Sequence, residues 1–522
     1  MKQVFLTTII IACCLSYISF FSGCSNTVSA PAATPAGGTA AAQVAAYDLR
    51  DAVAYHIVID RFNDGDTSND LPTSGVAPQA NFMGGDIQGI TAKINDGYFT
   101  TLGINLLCVS CPFSNVTNSH IFSDGNLRSA YLGEWPIAFD SIDQRFGTTA
   151  ELKSLVDAAH AKGIRVILEA TPRNVESSST VFTTHSDWFW PSFGVLGTNV
   201  AWGDANAYKA GLASYLPPFD FENASSLEYS LSSLAAWFSA TGVDGYKVES
   251  IAYTESNWLT SFRSRLGSAV DPVDGKHSIV LVDAYGSSAR GGYLDTTTKA
   301  DAGIDWELSY TLADSLLARS SSLSNLDNYI SSNIGSNIGM ACVTLSPGQG
   351  SRPINYAADT PITGSDGWAS PTVLGSSAFE RMEAAFAIVF TLPGMPYIEY
   401  GDEIGMTGQA EPSSYQMMWF GASLSTNQVA LHDRVALLAS IRAAHSALRN
   451  GSYSSLGSTT DTIAYKLSNS SESVIVLVNR SDTLATIVSI PSGSYKDAIG
   501  GTTVSGPSVS VPPRSSMILM AN

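Results

Sequence analysis

Eight short runs between residues 53 and 400 are dense in β-branched and aliphatic side chains, and stretches with helical spacing separate them. They span 53–59, 104–110, 164–169, 243–249, 279–283, a weaker run at 301–306, 340–345 and 395–400. Apolar strands that alternate with amphipathic helices indicate parallel pairing with both faces covered. The pattern predicts an α/β fold, a (β/α)8 TIM barrel. Helix boundaries agree. Thr148 and Glu151 have capping-box spacing before Leu152, Leu155, Val156 and Ala159, and Gly163 suits the stop. Ser225 and Glu228 repeat that spacing before Leu231, Leu234 and Trp237, with Gly242 as the stop.

Two stretches break the alternation. Residues 174–220, rich in Trp, Phe, Ser and Gly, lack helical period and predict an excursion domain between strand 3 and helix 3, over the barrel mouth. After a last helix around 428–448 the apolar period becomes two, which predicts a small C-terminal antiparallel β-domain. The expected organisation is a leader over 1–24, a linker over 25–46, the barrel with its excursion over 47–450, and the β-domain over 451–522.

The leader carries Lys2, an apolar run from Val4 to Phe21, and then Phe21-Ser22-Gly23-Cys24, which resembles a bacterial lipobox. Cys24 would then bear lipid, and the Pro/Gly/Ala/Thr-rich 25–46 would tether the folded part to the cell envelope, at the outer membrane or cell surface. An uncleaved anchor helix is the alternative, the run being long enough to span a bilayer. A net charge of −19, from 46 acidic against 27 basic residues, repels phosphate backbones and excludes nucleic acid as a partner. Cys108 and Cys111 form a C-x-x-C in a strand-like run with no second pair, so burial is favoured over a metal or redox role; Cys342 sits in another apolar run.

Several segments resemble glycoside hydrolase family 13, the α-amylases and cyclodextrin glucanotransferases. They are YHIVIDRFNDGD at 55–66, the stretch 84–105, the stretch 146–169, and LPGMPYIEYGDEIGM at 392–406. The resemblance implies the barrel, its excursion and the β-domain. It also implies a calcium ion held by Asp64, Asp66, Asn69, Asp70 and Asp86 with the Gly84 carbonyl, a cluster of hard oxygen donors. The alternative for that loop is a solvated acidic turn. A second family calcium would touch the positions of Arg173 and Asp220; a guanidinium at Arg173 would replace that ion and pair with Asp220, unless it points into solvent.

The resemblance also locates the chemistry, with altered residues. In VDGYKVESIAY at 243–253 the family pattern Gly-x-Arg-x-Asp-x-x-x-His is answered by Gly245, Lys247, Glu249 and Tyr253. Glu249 stands at the nucleophile position, Asp283 at the acid position and Gln349 at the third carboxylate position. Glu169, Arg173 and Asn174 occupy the strand-three motif, Leu132 and Glu134 replace a His and a Tyr beside Trp135, and Arg352 is retained. Lys247, Arg352, Trp135 and Glu134, with Trp188 and Trp190 of the excursion, are the expected sugar-binding groups; the tryptophans alternatively form that domain's own core. A retaining glycosidase needs two carboxyl groups about 5–5.5 Å apart, and displacement by about 1 Å is costly. The substitutions therefore imply an α-glucan-binding or scaffold protein without standard glycosidase activity. The alternative is an active hydrolase or transglycosylase using Glu249 as nucleophile and Asp283 as acid.

Overall fold

The computed structural model describes residues 48–122, 124–191, 194–267, 278–284, 291–333, 341–346, 350–360 and 374–521. Cys24 and Gln349 lie outside them.

The eight apolar runs form eight parallel strands: β1 Ala54–Ile57, β2 Leu106–Val109, β3 Arg165–Ala170, β4 Gly245–Val248, β5 Ile279–Val282, β6 Ala302–Ile304, β7 Ala341–Val343 and β8 Met395–Glu399. They pair in chain order and β8 closes on β1, giving a barrel without edges. Side chains alternate inward and outward. Ala54, Leu106, Cys108, Ile167, Leu281, Ile304, Cys342 and Tyr397 belong to one buried cluster that fills the barrel. Tyr55, Ile57, Val109, Leu168, Tyr246 and Val282 join the larger core under the surrounding helices. Cys108, Cys111 and Cys342 are buried free thiols, as an apolar core role requires. Gly245 is needed for strand closure, since a Cβ there would come within 2.0 Å of the Ile279 carbonyl oxygen.

The Thr148–Glu151 capping box forms and starts helix α1, Thr149–His160. The next helix departs from expectation. Helix α2, Ala224–Thr241, begins one residue before Ser225, and its cap is Asn223, whose side chain accepts from the Ser225 and Ser226 amides. An Asn just outside the first turn leaves no capping role for Ser225. Glu228 turns outward to the Arg265 guanidinium instead. Gly242 ends the helix in the left-handed conformation, φ 80°.

The excursion leaves after β3 and returns through bridges Asn174–Pro218 and Phe189–Phe219. It contains short helices at Thr180–Thr184, Ser186–Trp188 and Ala207–Lys209. Helix α3, Thr426–Ala444, precedes the C-terminal domain. That domain is a six-stranded sheet with an accompanying two-stranded one, assembled from residues 452–521. Arg442 of α3 is buried and donates to four carbonyls, those of Phe390, Leu392, Leu448 and Gly394, with a fifth bond to Arg50.

Candidate carbohydrate site

The inward alternation that fills the barrel with apolar side chains changes chemistry at its C-terminal end. Two residues beyond Ala54 is His56, beyond Ile167 is Glu169, beyond Leu281 is Asp283, and beyond Tyr397 is Glu399. On β4 the inward positions carry Lys247 and then Glu249. All six line one cavity of about 320 Å³, together with Trp306, Thr344 and Ser346 at the same level of the later strands. Conversion of inward positions from apolar to polar at this end is how a barrel builds a site.

Strand register makes the ion pairs. His56 faces Glu399 across β1–β8, and Glu169 faces Lys247 across β3–β4. His56 Nδ1 lies 2.7 Å from Glu399 Oε2, and its Nε2 lies 3.3 Å from Glu169 Oε2. Lys247 Nζ donates to Glu169 Oε1 at 2.7 Å and also to Glu249 Oε1. The result is one chain of alternating charge: Glu399, His56, Glu169, Lys247, Glu249.

Each member feels the others. Burial opposes protonation of His56, but Glu399 and Glu169 outweigh it and lift the imidazole to about 9. Burial also works against ionised Glu169, yet Lys247 and His56 hold it well below the usual carboxylate range. Glu249 goes the other way. Burial, then Asp283 and Glu169, outweigh its share of Lys247, so its carboxyl is pushed well up. Glu134, in the loop after β2, is raised to about 8 by burial and by Glu169, Glu411 and Asp283. Asp283 accepts the indole N–H of Trp306. Ser250, the residue after Glu249, adopts φ 55°, a left-handed turn that costs a non-glycine residue on the order of 1 kcal/mol.

A second chamber of about 640 Å³ adjoins the first, sharing Glu134, Glu249, Ser250, Tyr253 and Asp283 with it. Its wall is aromatic. Trp135 and Tyr215 meet edge to face at 5.3 Å, and Trp202, 53% exposed, meets Tyr253 at 5.2 Å. Flat apolar rings with polar edges suit sugar faces.

Three expected binding residues are placed elsewhere. Arg352 is buried and spent on the protein itself, donating to the Ser414 and Tyr400 carbonyls and to Asp402. Trp188 stacks on His185 at 4.0 Å and packs against Tyr229. Trp190 donates to Glu255 at 2.8 Å and carries the Lys209 ammonium over its ring. Neither tryptophan lines either chamber. The excursion has no large core of its own, so its aromatic residues are used to build one.

Arg173 is buried but does not pair with Asp220. Its Nε donates to the Tyr253 carbonyl at 2.9 Å, and its Nη2 to the carbonyls of Ala210 at 2.6 Å and Tyr208 at 3.4 Å. Asp220 instead accepts from the Glu222 amide, forming the turn before α2. Carbonyl oxygens carry partial negative charge and suffice to receive a guanidinium, but they do not neutralise it. Burial accordingly lowers Arg173 to about 10. Arg173→Ala strands three carbonyls among buried groups and is expected to cost about 2–4 kcal/mol. A fall in denaturant midpoint corresponding to less than about 1 kcal/mol would show that the cage closes without the cation.

In the acidic loop, Asp86 accepts from the Gly65, Asp66 and Gly89 amides and caps the helix Ile87–Asn95. Asp66 accepts from Ser68, and Asn69 reaches Asp86 Oδ2 at 3.4 Å. Asp70 lies so close to Gly84, whose φ is +93°, that a Cβ there would be 2.4 Å from its Oδ1. Among the described residues no three His, Cys, Asp or Glu side chains converge closely enough to hold a metal.

His56, Glu399 and Trp306 were not among the residues expected from the sequence. The signal available was the period-two step from the inward apolar positions of β1 and β8.

A closed parallel barrel carries, at its C-terminal mouth, paired carboxyls beside an aromatic-walled cleft. Residues 56–262 match the family model described as "Alpha amylase, catalytic domain". The chain is 28% identical over 485 residues to a cyclomaltodextrin glucanotransferase of Paenibacillus macerans, covering 86% of this chain and 63% of that protein. It is 26% identical to an α-amylase of Niallia circulans, covering 88% and 87%. Its fold superposes with a TM-score of 0.76 on the α-amylase of Geobacillus thermoleovorans solved with acarbose, at 21% identity over 91% of this chain and 99% of that one. Over residues 56–262 the chain is thus similar to the catalytic domain of the α-amylase family, and its fold is that of the solved α-amylases. It spans about 63% of the length of the glucanotransferase relatives.

Proposed function

We propose that this protein is an α-glucan-binding member of its family that has lost standard glycosidase activity. It is held at the bacterial cell envelope by lipid on Cys24 and presents its cleft to carbohydrate. One observation carries the reading: Lys247 draws Glu169 and Glu249 into a single ion network. Retaining hydrolysis requires an ionised nucleophile and a protonated acid. Burial, Asp283 and Glu169 push the Glu249 carboxyl up, against the ionised form a nucleophile needs, and Asp283 is engaged as an acceptor by the Trp306 indole. The aromatic second chamber remains suited to bind.

A second reading is favoured by Glu249 and Asp283 lining the same cavity. It makes the protein a hydrolase or transglycosylase with Glu249 as nucleophile and Asp283 as acid. Reducing-sugar release from starch and maltooligosaccharides, at high protein concentration, separates the two. The binding reading expects no turnover with measurable binding of maltooligosaccharides by calorimetry. Turnover that Glu249→Gln abolishes would establish the enzyme instead.

The proposal includes one calcium ion on Asp64, Asp66, Asn69, Asp70 and Asp86 with the Gly84 carbonyl, all of them hard oxygen donors. In this reading the Arg173 guanidinium, held by the carbonyls of Tyr253, Ala210 and Tyr208, takes the place of a second ion. Atomic emission on dialysed protein should count one calcium per chain. Two ions would refute the Arg173 substitution, and none would refute the loop site.

A further inference from the structure

The inner chamber has a charge balance unlike that expected of a pocket for a neutral sugar. Five carboxyl groups line it: Glu134, Glu169, Glu249, Asp283 and Glu399. The cations lining it among the described residues are His56 and Lys247. Both are already committed. His56 lies between Glu399 and Glu169, and Lys247 between Glu169 and Glu249. Among the described residues the remaining carboxyls, Glu134 and Asp283, have no cation of their own in that lining. One oxygen of Glu399 is buried without a hydrogen-bond partner. The Tyr397 hydroxyl, on a side chain only 4% exposed, lines the same cavity and meets nothing beyond the weak thiol of Cys108.

Burying like charges without a counter-charge is expensive, and a protein avoids the cost by keeping protons on some of them. Glu134 does this, raised to about 8 by burial and by its carboxylate neighbours, and Glu249 is pushed in the same direction by burial, Asp283 and Glu169. Such a pocket is incomplete in positive charge. A metal is a poor solution, because no three of the described carboxyls converge on one point. An ammonium group on a hydroxylated ring meets the requirement. Its charge acts over several ångströms without requiring three oxygens at metal-bonding distance, and ring hydroxyls offer partners to the Tyr397 hydroxyl and the free Glu399 oxygen.

We propose that the inner chamber takes an amine-bearing sugar residue, with its ammonium among Glu134, Glu249 and Asp283. This rests on the reading that the cleft binds carbohydrate and names the ligand class. The groups facing Glu134 are Glu169, Glu411, Lys247 and Asp283; those facing Glu249 are Lys247, Asp283 and Glu169. At pH 7 Glu134 is mostly protonated, so an arriving cation favours its ionised form and expels a proton. Binding therefore releases protons when the ligand is an amine and not when it is neutral.

Calorimetry on the whole chain tests this with methyl α-glucosides carrying an amine at C2 or C6, their neutral parent, and maltotriose. The expected result is that one amine binds at least tenfold tighter than the parent at pH 7. Its heat should vary with buffer ionisation enthalpy in the sense of proton release, and Glu134→Gln should remove that release while leaving the circular dichroism unchanged. Equal or weaker binding of both amines, with maltotriose still bound, overturns the inference and leaves the glucan reading intact. No binding of any of these sugars overturns both. Tight amine binding without proton release overturns the role assigned to Glu134.

Discussion

Lys247→Met is expected to destabilise the protein by about 3–5 kcal/mol. The ammonium is 5% exposed and supplies the positive charge between Glu169 and Glu249. Methionine fills similar volume, so the loss is electrostatic rather than a cavity. Without Lys247, Glu169 keeps only His56, and one more carboxyl must take a proton or remain a buried unpaired charge. The double variant Lys247→Met with Glu169→Gln removes the stranded charge as well. It should recover part of the loss, giving a coupling of roughly 1–3 kcal/mol in a double-mutant cycle. Equal losses in the single and double variants would mean that Lys247 acts by packing alone. A single-variant loss below about 1 kcal/mol would mean that the network is solvated and carries little.

The barrel was legible because its signal is redundant. Eight separate apolar runs each had to be a strand, and each became one within a few residues of the expected bounds. Thr148 was read correctly as a cap because the box is a local device. Ser225 was misread because Asn223, two residues earlier, competes for the same role and offers a better-placed acceptor. The site was legible only by position. Glu249, Asp283 and Glu134 were placed in one cleft, but the partner of each depends on register between strands distant in sequence. His56 and Glu399 are 343 residues apart and meet only when β8 closes on β1. Arg352 and Arg173 show the same limit from the other side. A guanidinium reads as a binding group in sequence, whereas five donors on a buried side chain are as readily consumed by carbonyls. Trp188 and Trp190 went the way of Arg352, because a small excursion domain needs large rings to hold itself together.

The pH dependence of stability should have its maximum near pH 5 and decline steadily toward pH 9. Four groups set the shape. Glu169 has a lowered folded value, so its contribution is present above about 4.5 and lost as the pH falls further. Glu249 and Glu134 have raised values and favour the fold only while protonated. The unfolded chain ionises both near 4.5, so stability drains from there up through about 8 for Glu134. His56 is raised from 6.5 to about 9, and its contribution is complete below 6.5 and gone above 9. That step alone corresponds to on the order of 3 kcal/mol, taking about 1.4 kcal/mol for each unit of displacement. Asp402, buried beside Arg352 and raised by that burial to about 8, acts in the same direction as Glu134. Thermal unfolding from pH 4 to 10 tests the shape, and His56→Gln isolates its upper limb. The variant should be less stable than the parent at pH 6, and the two curves should converge as the pH approaches 10. Parallel curves would show that His56 is not charged between Glu399 and Glu169. The network would then begin at Lys247, and the inner chamber would be one cation poorer still.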